Sequence, residues 1–340
     1  MSSHAFEGTT RMNRSPRWRV ALLASAAWLL PATSLASGSN EAPLSQTTCS
    51  FTGMVDELRA AMKSGSPAYR KYVKARLKMA GRVMTADELL TAVQQERDPD
   101  VLEALGAAVA DKASFSEDAS LLQPLLARAA SDSDPALRAA AVRGMKGTGS
   151  VDAMGKNGNV VTYEQLIRDS APEVRQAVVE NLVHENAKVY FGHDKAVSET
   201  AVSTALASPD PEVAAKLLRE VSMEQVGSET VRKLTGQLRT ENPTLRAASA
   251  TALGGVPGAS AASARTSLVE LYRSETDPGV RKAALEGIAH LGQAGALPVL
   301  QSLRGVDPGM DAEVDAWVKA LGTGLQEWHL LLREKQRLRK

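Results

Sequence analysis

The chain of 340 residues carries 40 Lys and Arg residues against 39 Asp and Glu residues, so its formal net charge is +1. This balance conceals a partition, because 34 acidic and 23 basic residues lie between Asp87 and Trp328 while both flanking segments are basic. Such a partition bears on the choice of partners rather than on the fold. Only 4% of the residues are aromatic, which suits a thin helical core, and the single cysteine excludes an internal disulfide.

The first 36 residues have the organisation of a signal peptide. An apolar stretch at residues 20–30 ends at Pro31, and Ser-Leu-Ala at residues 34–36 is a small-x-small cleavage signature. The basic residues before the apolar stretch are Arg11, Arg14, Arg17 and Arg19. Because the stretch is too short to span a bilayer, we expect cleavage and export to the periplasm or the medium. An uncleaved anchor is the alternative, and translation could begin at Met1 or at Met12.

Residues 37–52 are polar and contain Pro, Ser and Thr, which predicts a disordered linker. Cys49 lies in this linker, and the residues before it do not match a lipid-anchor site. We interpret Cys49 as a free thiol. An intermolecular disulfide in an oxidising compartment is the alternative.

Residues 53–86 are predicted to form a basic helical cap, because no acidic residue and eight basic residues lie between Glu57 and Asp87. At helical spacing, Tyr69, Val73, Ala80 and Met84 form an apolar side of one helix. The cationic stripe on another side consists of Lys71, Lys74, Lys78 and Arg82. This stripe could bind an anionic partner such as lipid headgroups, an acidic polymer or an acidic protein. The alternative is a solvated polar face on the end of the fold.

A phrase that begins with a capping residue and a proline recurs through residues 87–322. The prolines are separated by 36, 37, 39, 32, 35 and 30 residues, and they are Pro99, Pro135, Pro172, Pro211, Pro243, Pro278 and Pro308. Asp or Asn before the proline caps the free N–H groups of a helix, and proline fits the first helical position. The small residues that follow, including Ala104, Ala141 and Ala248, allow a neighbouring helix to approach closely. Each phrase therefore predicts the start of a helix.

A second apolar-periodic stretch precedes most of these phrases. The stretches begin at Thr85, Ala119, Thr162, Glu229 and Thr266, and the pairs Thr85 with Glu88 and Thr162 with Gln165 have capping-box spacing. The unit is therefore two helices joined by a turn. Because one pair cannot bury its own apolar face, the pairs must stack, and we predict an all-α solenoid of six to seven helix pairs.

The phrase resembles the Asp-Pro-x-Val-Arg-x-x-Ala signature of HEAT repeats, of the short type related to phycobilisome lyases. The arginine is present as Arg138, Arg175, Arg246 and Arg281, and it is replaced by Leu102 and Ala214 in two units. The resemblance implies a right-handed superhelix in which this arginine and the turn aspartate form a hydrogen-bond ladder between units. The turn aspartates that would take this structural role are Asp98, Asp134, Asp210 and Asp277.

The second helices of the units are expected to line the concave face. The side chains predicted there are Glu103, Arg143, Gln176, Glu180, Arg219, Lys282 and Glu286. Their mixture of signs and sizes suits contact with a protein better than it suits a phosphate backbone, which requires a continuous Lys/Arg stripe.

Two other segments resemble chemical sites only superficially. His184, Glu185, His193 and Asp194 could gather a metal ion, but their spacing matches no zinc pattern, so we interpret the segment as an inter-repeat loop. Residues 144–158 are rich in glycine but lack the Gly-Lys-Ser/Thr ending of a phosphate-binding loop, so we interpret them as an insertion between repeats. We predict no catalytic residues, no metal and no cofactor, because no nucleophile lies in a recognisable setting.

These observations favour an exported, non-enzymatic scaffold that binds another protein through the concave face and the basic ends. The resemblance admits two alternatives, a chromophore lyase or isomerase and a nucleic-acid-binding protein. We expect export to oppose the first, and export together with the acidic repeats to oppose the second. Residues 323–340 are predicted to form a terminal helix with a basic tail. Trp317 and Trp328 are expected to complete the cap at that end.

Overall fold

A computed structural model describes residues 50–147, 149–156, 161–187 and 194–339 of the chain. The predicted signal peptide, Cys49 and His193 lie outside these residues, as does most of the predicted linker. The described residues contain helices and turns and no β-strand. Within this part of the chain, every helix is too short or too polar to cross a bilayer.

Eighteen α-helices are present among the described residues. They are α1 (Phe51–Lys63), α2 (Pro67–Val83), α3 (Ala86–Gln95), α4 (Pro99–Ser116), α5 (Gln123–Ser131), α6 (Pro135–Gly144), α7 (Ser150–Lys156), α8 (Tyr163–Leu166), α9 (Pro172–Asn186), α10 (Lys195–Ala207), α11 (Pro211–Glu220), α12 (Ser228–Gln237), α13 (Pro243–Leu253), α14 (Gly258–Ser274), α15 (Pro278–Gly292), α16 (Leu297–Leu303), α17 (Asp311–Gly322) and α18 (Trp328–Leu338). Short 3-10 turns occur at Ala119–Leu122, Gln293–Ala296 and Pro308–Met310.

The recurring prolines open helices, as the sequence predicts. Six of them are the first residues of α4, α6, α9, α11, α13 and α15, and the seventh, Pro308, opens the 3-10 turn before α17. The residue before the proline supplies a side-chain cap to each of these helices except α9, where Ala171 has no capping side chain. The Asp98 carboxylate, for example, accepts hydrogen bonds from the backbone N–H groups of Asp100 and Val101 at 3.0 and 3.2 Å. These caps satisfy donors that have no partner inside the helix.

The helices stack as pairs. The second helices form a continuous row, in which α2, α4, α6, α9, α11, α13, α15 and α17 each contact the next; we call this the second-helix row. The first helices α1, α3, α5, α8, α10, α12, α14 and α16 each contact the second helix of their own unit. A single hydrophobic core extends from Val55 to Leu331. The predicted all-α solenoid is thereby confirmed.

Small residues set the spacing within the row. Ala104, Ala141 and Ala248 are buried, as the sequence predicts for positions where helices approach closely. Between α4 and α6 the approach is tighter still, because a Cβ atom on Gly106 would lie 2.9 Å from the Cα atom of Gly144. Contacts this close leave no room for a side chain and explain why glycine stands there.

The basic segment differs from its prediction in two respects. Helix α1 begins at Phe51, inside the predicted linker, so α1 and α2 form a helix pair. The packed side of α2 consists of Val73, Leu77 and Gly81, whereas Tyr69, predicted on the apolar side, is exposed. The prediction for Tyr69 was wrong because the contact with α4, which a single helix's pattern does not reveal, sets which side is buried.

The glycine-rich segment also contains more structure than an insertion. Residues 150–156 form α7, which packs against the turn at Ala119–Leu122 and against α10. The Ser150 hydroxyl donates to the Glu185 carboxylate at 2.6 Å and lies 2.6 Å from the Tyr163 hydroxyl, in a buried network. Burial raises the pKa of Tyr163, so its hydroxyl is neutral. The network holds the irregular unit between α6 and α9.

Candidate functional site

The arginines of the repeat phrase link successive units. The Nε and Nη2 atoms of Arg138 in α6 donate to the Asp169 carboxylate at 2.7 and 2.8 Å, and Arg246 in α13 binds Glu275 in the same way at 2.6 and 3.0 Å. Both arginines also donate to backbone carbonyl oxygens at the turn of their own unit. Arg175 pairs with Asp210 at 3.4 Å, and Arg281 pairs with Asp307.

The carboxylate of this ladder differs from the one that the resemblance implies. Asp134 and Asp277 cap their own helices, because their carboxylates accept hydrogen bonds from backbone N–H groups of α6 and α15, respectively. Arg138 and Arg246 instead bind an acidic residue two positions before the cap of the next unit. The residues at this position are Glu96, Asp132, Asp169 and Glu275. The carboxylate of each accepts a hydrogen bond from the backbone N–H of the residue two positions later. An acidic residue three positions before the proline was the sequence signal that could have identified them.

Two departures from this arrangement have local reasons. Arg175 and Arg281 bind the capping residues Asp210 and Asp307, because Ser208 and Gly305 stand two positions earlier and offer no carboxylate. In the unit formed by α3 and α4, the phrase that begins at Asp98 has Leu102 in place of the arginine. The acidic residues are bound here by arginines of first helices: Arg59 of α1 binds Glu96 at 2.7 Å, and Arg128 of α5 binds Asp132 at 2.6 Å.

The ladder is electrostatically balanced. Burial raises the pKa of Glu275, but hydrogen bonds from Arg246 and two backbone N–H groups outweigh it, so the pKa lies below its ordinary value. In the same way, burial raises the pKa of Asp169, but the hydrogen bond from Arg138 outweighs this effect, so the pKa lies below its ordinary value. These carboxylates are therefore ionised and fully used in holding units together, which makes the ladder a structural element.

The exposed side of the second-helix row carries the side chains predicted for the binding face. Near its N-terminal end, Arg143 in α6 donates to Glu103 in α4 at 2.8 Å. In the middle, Gln176 donates to Glu180 within α9 at 2.9 Å. These side chains are therefore partly satisfied by one another.

Further along the row, three predicted binding residues are brought together. Arg219 of α11 and Lys282 and Glu286 of α15 line a groove of about 410 Å³ whose floor includes Ala247 and Thr251 of α13. We call this groove the charged groove. Among the described residues, neither Arg219 nor Lys282 makes an ion pair, so both cations can engage a partner. Burial raises the pKa of Glu286, with Lys335 lowering it and Glu313 raising it.

A second groove of about 490 Å³ shares Arg219 and Thr251 with the charged groove. One wall is an aromatic stack, in which the Trp328 ring lies 4.1 Å from the His290 ring and 5.4 Å from the Trp317 ring, between ring centroids. Burial lowers the pKa of His290, while Glu224 raises it. The sequence predicted the two tryptophans at this end but missed His290, because no local motif connects residue 290 with residue 328.

The predicted cationic stripe of α2 is divided by the fold. Lys78 and Arg82 both pair with Asp111 of α4, at 3.0 and 2.5 Å. Lys71 and Lys74 make no ion pair with any described residue. Half of the stripe therefore belongs to the contact between α2 and α4.

Metal binding has no candidate in the described part of the chain, where no three His, Cys, Asp or Glu side chains are grouped closely enough to hold an ion. Asp194 caps α10 through the backbone N–H groups of Ala196 and Val197. Glu185 belongs to the buried network with Ser150.

Residues 231–322 match the family model of HEAT repeats. These residues therefore carry HEAT repeats. The matched segment contains α13 and α15, and so includes most of the charged groove. The chain is also similar to the solved X-ray structure of the YibA protein of Escherichia coli, with 13% sequence identity, a TM-score of 0.43, and coverage of 89% of this chain and 100% of that one. No curated protein matches the chain. The relation to phycobilisome lyases stays a prediction.

Proposed function

We propose that this HEAT-repeat protein is a non-enzymatic scaffold that binds another protein along the exposed side of the second-helix row. The observation that carries the proposal is the charged groove, where Arg219, Lys282 and Glu286 from two helices converge over a floor of small side chains. HEAT repeats commonly serve protein interaction, and the match covers this part of the chain.

The chemistry of the charged groove favours a polypeptide as its ligand. Arg219 and Lys282, together with the carboxylates of Glu286 and the capping residue Asp277, surround Ala247 and Thr251, so the surface offers both signs of charge around a floor of small side chains. Interfaces between proteins combine such a floor with a polar rim. Nucleic acid would require a continuous basic track, and Glu286 interrupts the cations here.

We also propose that the protein lies outside the cytoplasm. Its support is the sequence of the first 36 residues, with its basic start, its apolar stretch of 11 residues and its cleavage signature. The partner would then be found in the cell envelope or the medium. Fractionation of cells that express the full chain, followed by N-terminal sequencing, tests export, and an uncleaved chain in the cytosol would contradict it.

Site-specific cross-linking tests the binding surface. A photo-cross-linking residue replaces Thr244, which lines the charged groove, or Lys233, which is exposed on the first helix α12. We expect a discrete cross-linked protein from position 244 and none from position 233. In the double variant Arg219→Glu and Lys282→Glu, the adduct at position 244 should fall about tenfold, as expected when central interface charges are reversed. Equal adducts from both positions would refute the surface.

A further inference from the structure

Helix α2 exposes an apolar stripe at the N-terminal end of the second-helix row. Six large hydrophobic side chains are exposed in the described part of the chain, and four of them lie on α2: Tyr69, Tyr72, Met79 and Val83. Val83 is 88% exposed, Met79 64% and Tyr72 58%. Together with Arg76 they recur at intervals of three and four residues, so they lie on one side of the helix. We call these four residues the end stripe.

The end stripe faces away from the row. Gly81 is on the packed side of α2, where an added Cβ atom would lie 3.3 Å from the Cβ atom of Ala108 in α4. Tyr72 precedes Gly81 by nine residues, which is about two and a half turns at 3.6 residues per turn, so the two point in opposite directions. The end stripe therefore occupies the side of α2 on which a preceding second helix would pack if the row continued.

Terminal units of a repeat protein ordinarily turn a polar face outward, because nothing covers it. Here the outward face carries two tyrosines, a methionine and a valine. Tyr and Met are enriched at protein interfaces, and spacings of three and four residues are those by which one helix packs along another. The end stripe thus has the composition and the spacing of a helix-docking surface.

Charge decides between occupants. Helix α2 contains six basic residues and no acidic residue. Arg76, inside the stripe, is paired with Glu57 of α1 at 2.8 Å, whereas Lys71 and Lys74 make no ion pair with any described residue. If a second copy of the chain brought α2 against itself, or against residues 329–340 with their five basic residues and one acidic residue, like charges would oppose the contact. A lipid surface is disfavoured too, because Lys78 and Arg82 beside the stripe are both bound to the carboxylate of Asp111, which reduces the positive charge that they offer to anionic headgroups.

We propose that the end stripe docks an amphipathic helix of a partner protein whose apolar side is flanked by Asp and Glu. This helix extends the second-helix row beyond α2, as α4 extends it on the other side. Its acidic flanks meet Lys71 and the basic surface of α2. The inference deepens the proposed function, since it names the partner's chemistry at a second surface, and it does not depend on the charged groove.

A designed peptide tests this directly. The probe is a fluorescent helical peptide of about three heptads, with Leu at intervals of three and four residues and Glu on both flanks. A second peptide has Lys in place of Glu, and a third has the same composition with the Leu residues dispersed. Binding to the full chain is measured by fluorescence anisotropy. We expect the acidic peptide to bind at least about tenfold more tightly than either control peptide.

Variants of exposed residues locate the contact without disturbing the core. Tyr72→Asp and Val83→Asp should each weaken binding of the acidic peptide about tenfold or more, and Lys71→Glu should weaken the acidic peptide while strengthening the basic one. Val306→Asp is the matched control, since Val306 is also an exposed valine but lies near the other end of the chain. Arg219→Glu, in the charged groove, should leave peptide binding unchanged, which separates this test from that of the proposed function.

Four results would overturn the inference. The first is equal binding of the acidic and basic peptides, and the second is unchanged binding of the acidic peptide in Val83→Asp. The third is binding of anionic vesicles through the same residues with no binding of the acidic peptide. The fourth is self-association of the full chain that Val83→Asp abolishes. The last two would assign the stripe to a membrane or to a second copy instead.

Discussion

Removal of Arg246 should destabilise the protein far more than removal of an exposed arginine nearby. Arg246 donates two hydrogen bonds to the Glu275 carboxylate, at 2.6 and 3.0 Å, and two more to the carbonyl oxygens of Thr240 and Glu241, at 2.9 and 2.8 Å. Glu275 is 7% exposed, so Arg246→Ala would leave a buried carboxylate without its counter-charge. Breaking a buried pair in this way costs about 3–5 kcal/mol. Because the Arg246 side chain retains 16% exposure, we expect about 3 kcal/mol.

The matched control is Arg232→Ala. Arg232 also pairs with a glutamate, Glu229, but its side chain is 76% exposed, and exposed pairs contribute less than about 1 kcal/mol. The assay is urea unfolding followed by far-ultraviolet circular dichroism. In the double variant Arg246→Ala and Glu275→Ala, the loss should be smaller than the sum of the two single losses, because the unpaired charge is gone. If Arg246→Ala costs no more than Arg232→Ala, the ladder does not hold the units together.

Three further predictions concern titration and packing. Because the pKa of Glu275 is lower in the folded protein than in the unfolded chain, its contribution is present above the ordinary glutamate pKa and is lost as the pH falls through the lowered value. Glu275→Gln should therefore be less stable at pH 7 and should flatten the acid limb of stability measured by urea unfolding, and an unchanged limb would contradict this. Gly287→Ala should destabilise the protein by about 1–3 kcal/mol, since the new Cβ atom would lie 2.5 Å from the Ala250 carbonyl oxygen. Gly236→Ala, in open space on α12, should instead stabilise the protein by up to about 1 kcal/mol. Thermal unfolding of both variants checks that the two effects have opposite signs. Burial lowers the pKa of His290, so the imidazole binds a proton more tightly in the unfolded chain than in the folded protein. Stability is therefore lost as the pH falls below the ordinary histidine value of 6.5, and tryptophan fluorescence should report this loss. If the variant His290→Gln shows the same pH dependence, His290 is not its source.

Much of the architecture could be predicted from local chemistry. A capping side chain followed by proline determines where a helix begins, whatever lies around it, and Asp98 with Pro99 does so at α4 as the sequence indicates. The stacking of pairs follows because one pair cannot bury its own apolar side. The short helix α8 was predicted only in part, because the sequence after Thr162 has a helical pattern that the turn at Ile167 ends.

The candidate sites depended on contacts between distant residues. The charged groove was predicted as separate residues along the concave face, and its convergence of Arg219 with Lys282 depends on how α11, α13 and α15 stack. The outward direction of Tyr72 was hidden for the same reason, because either side of a basic amphipathic helix could have been the packed one.

The sequence by itself determined the helix starts, the repeat length and the all-α solenoid, because caps, proline and apolar spacing act within a few residues of the chain. Only the tertiary structure decided which carboxylate each arginine binds, since Arg138 reaches Asp169 across 31 residues rather than a neighbour in its own phrase. It also decided which side of α2 is exposed. Both depend on the register between stacked helices, which is set by close contacts such as that of Gly106 with Gly144 and is not encoded in any single repeat.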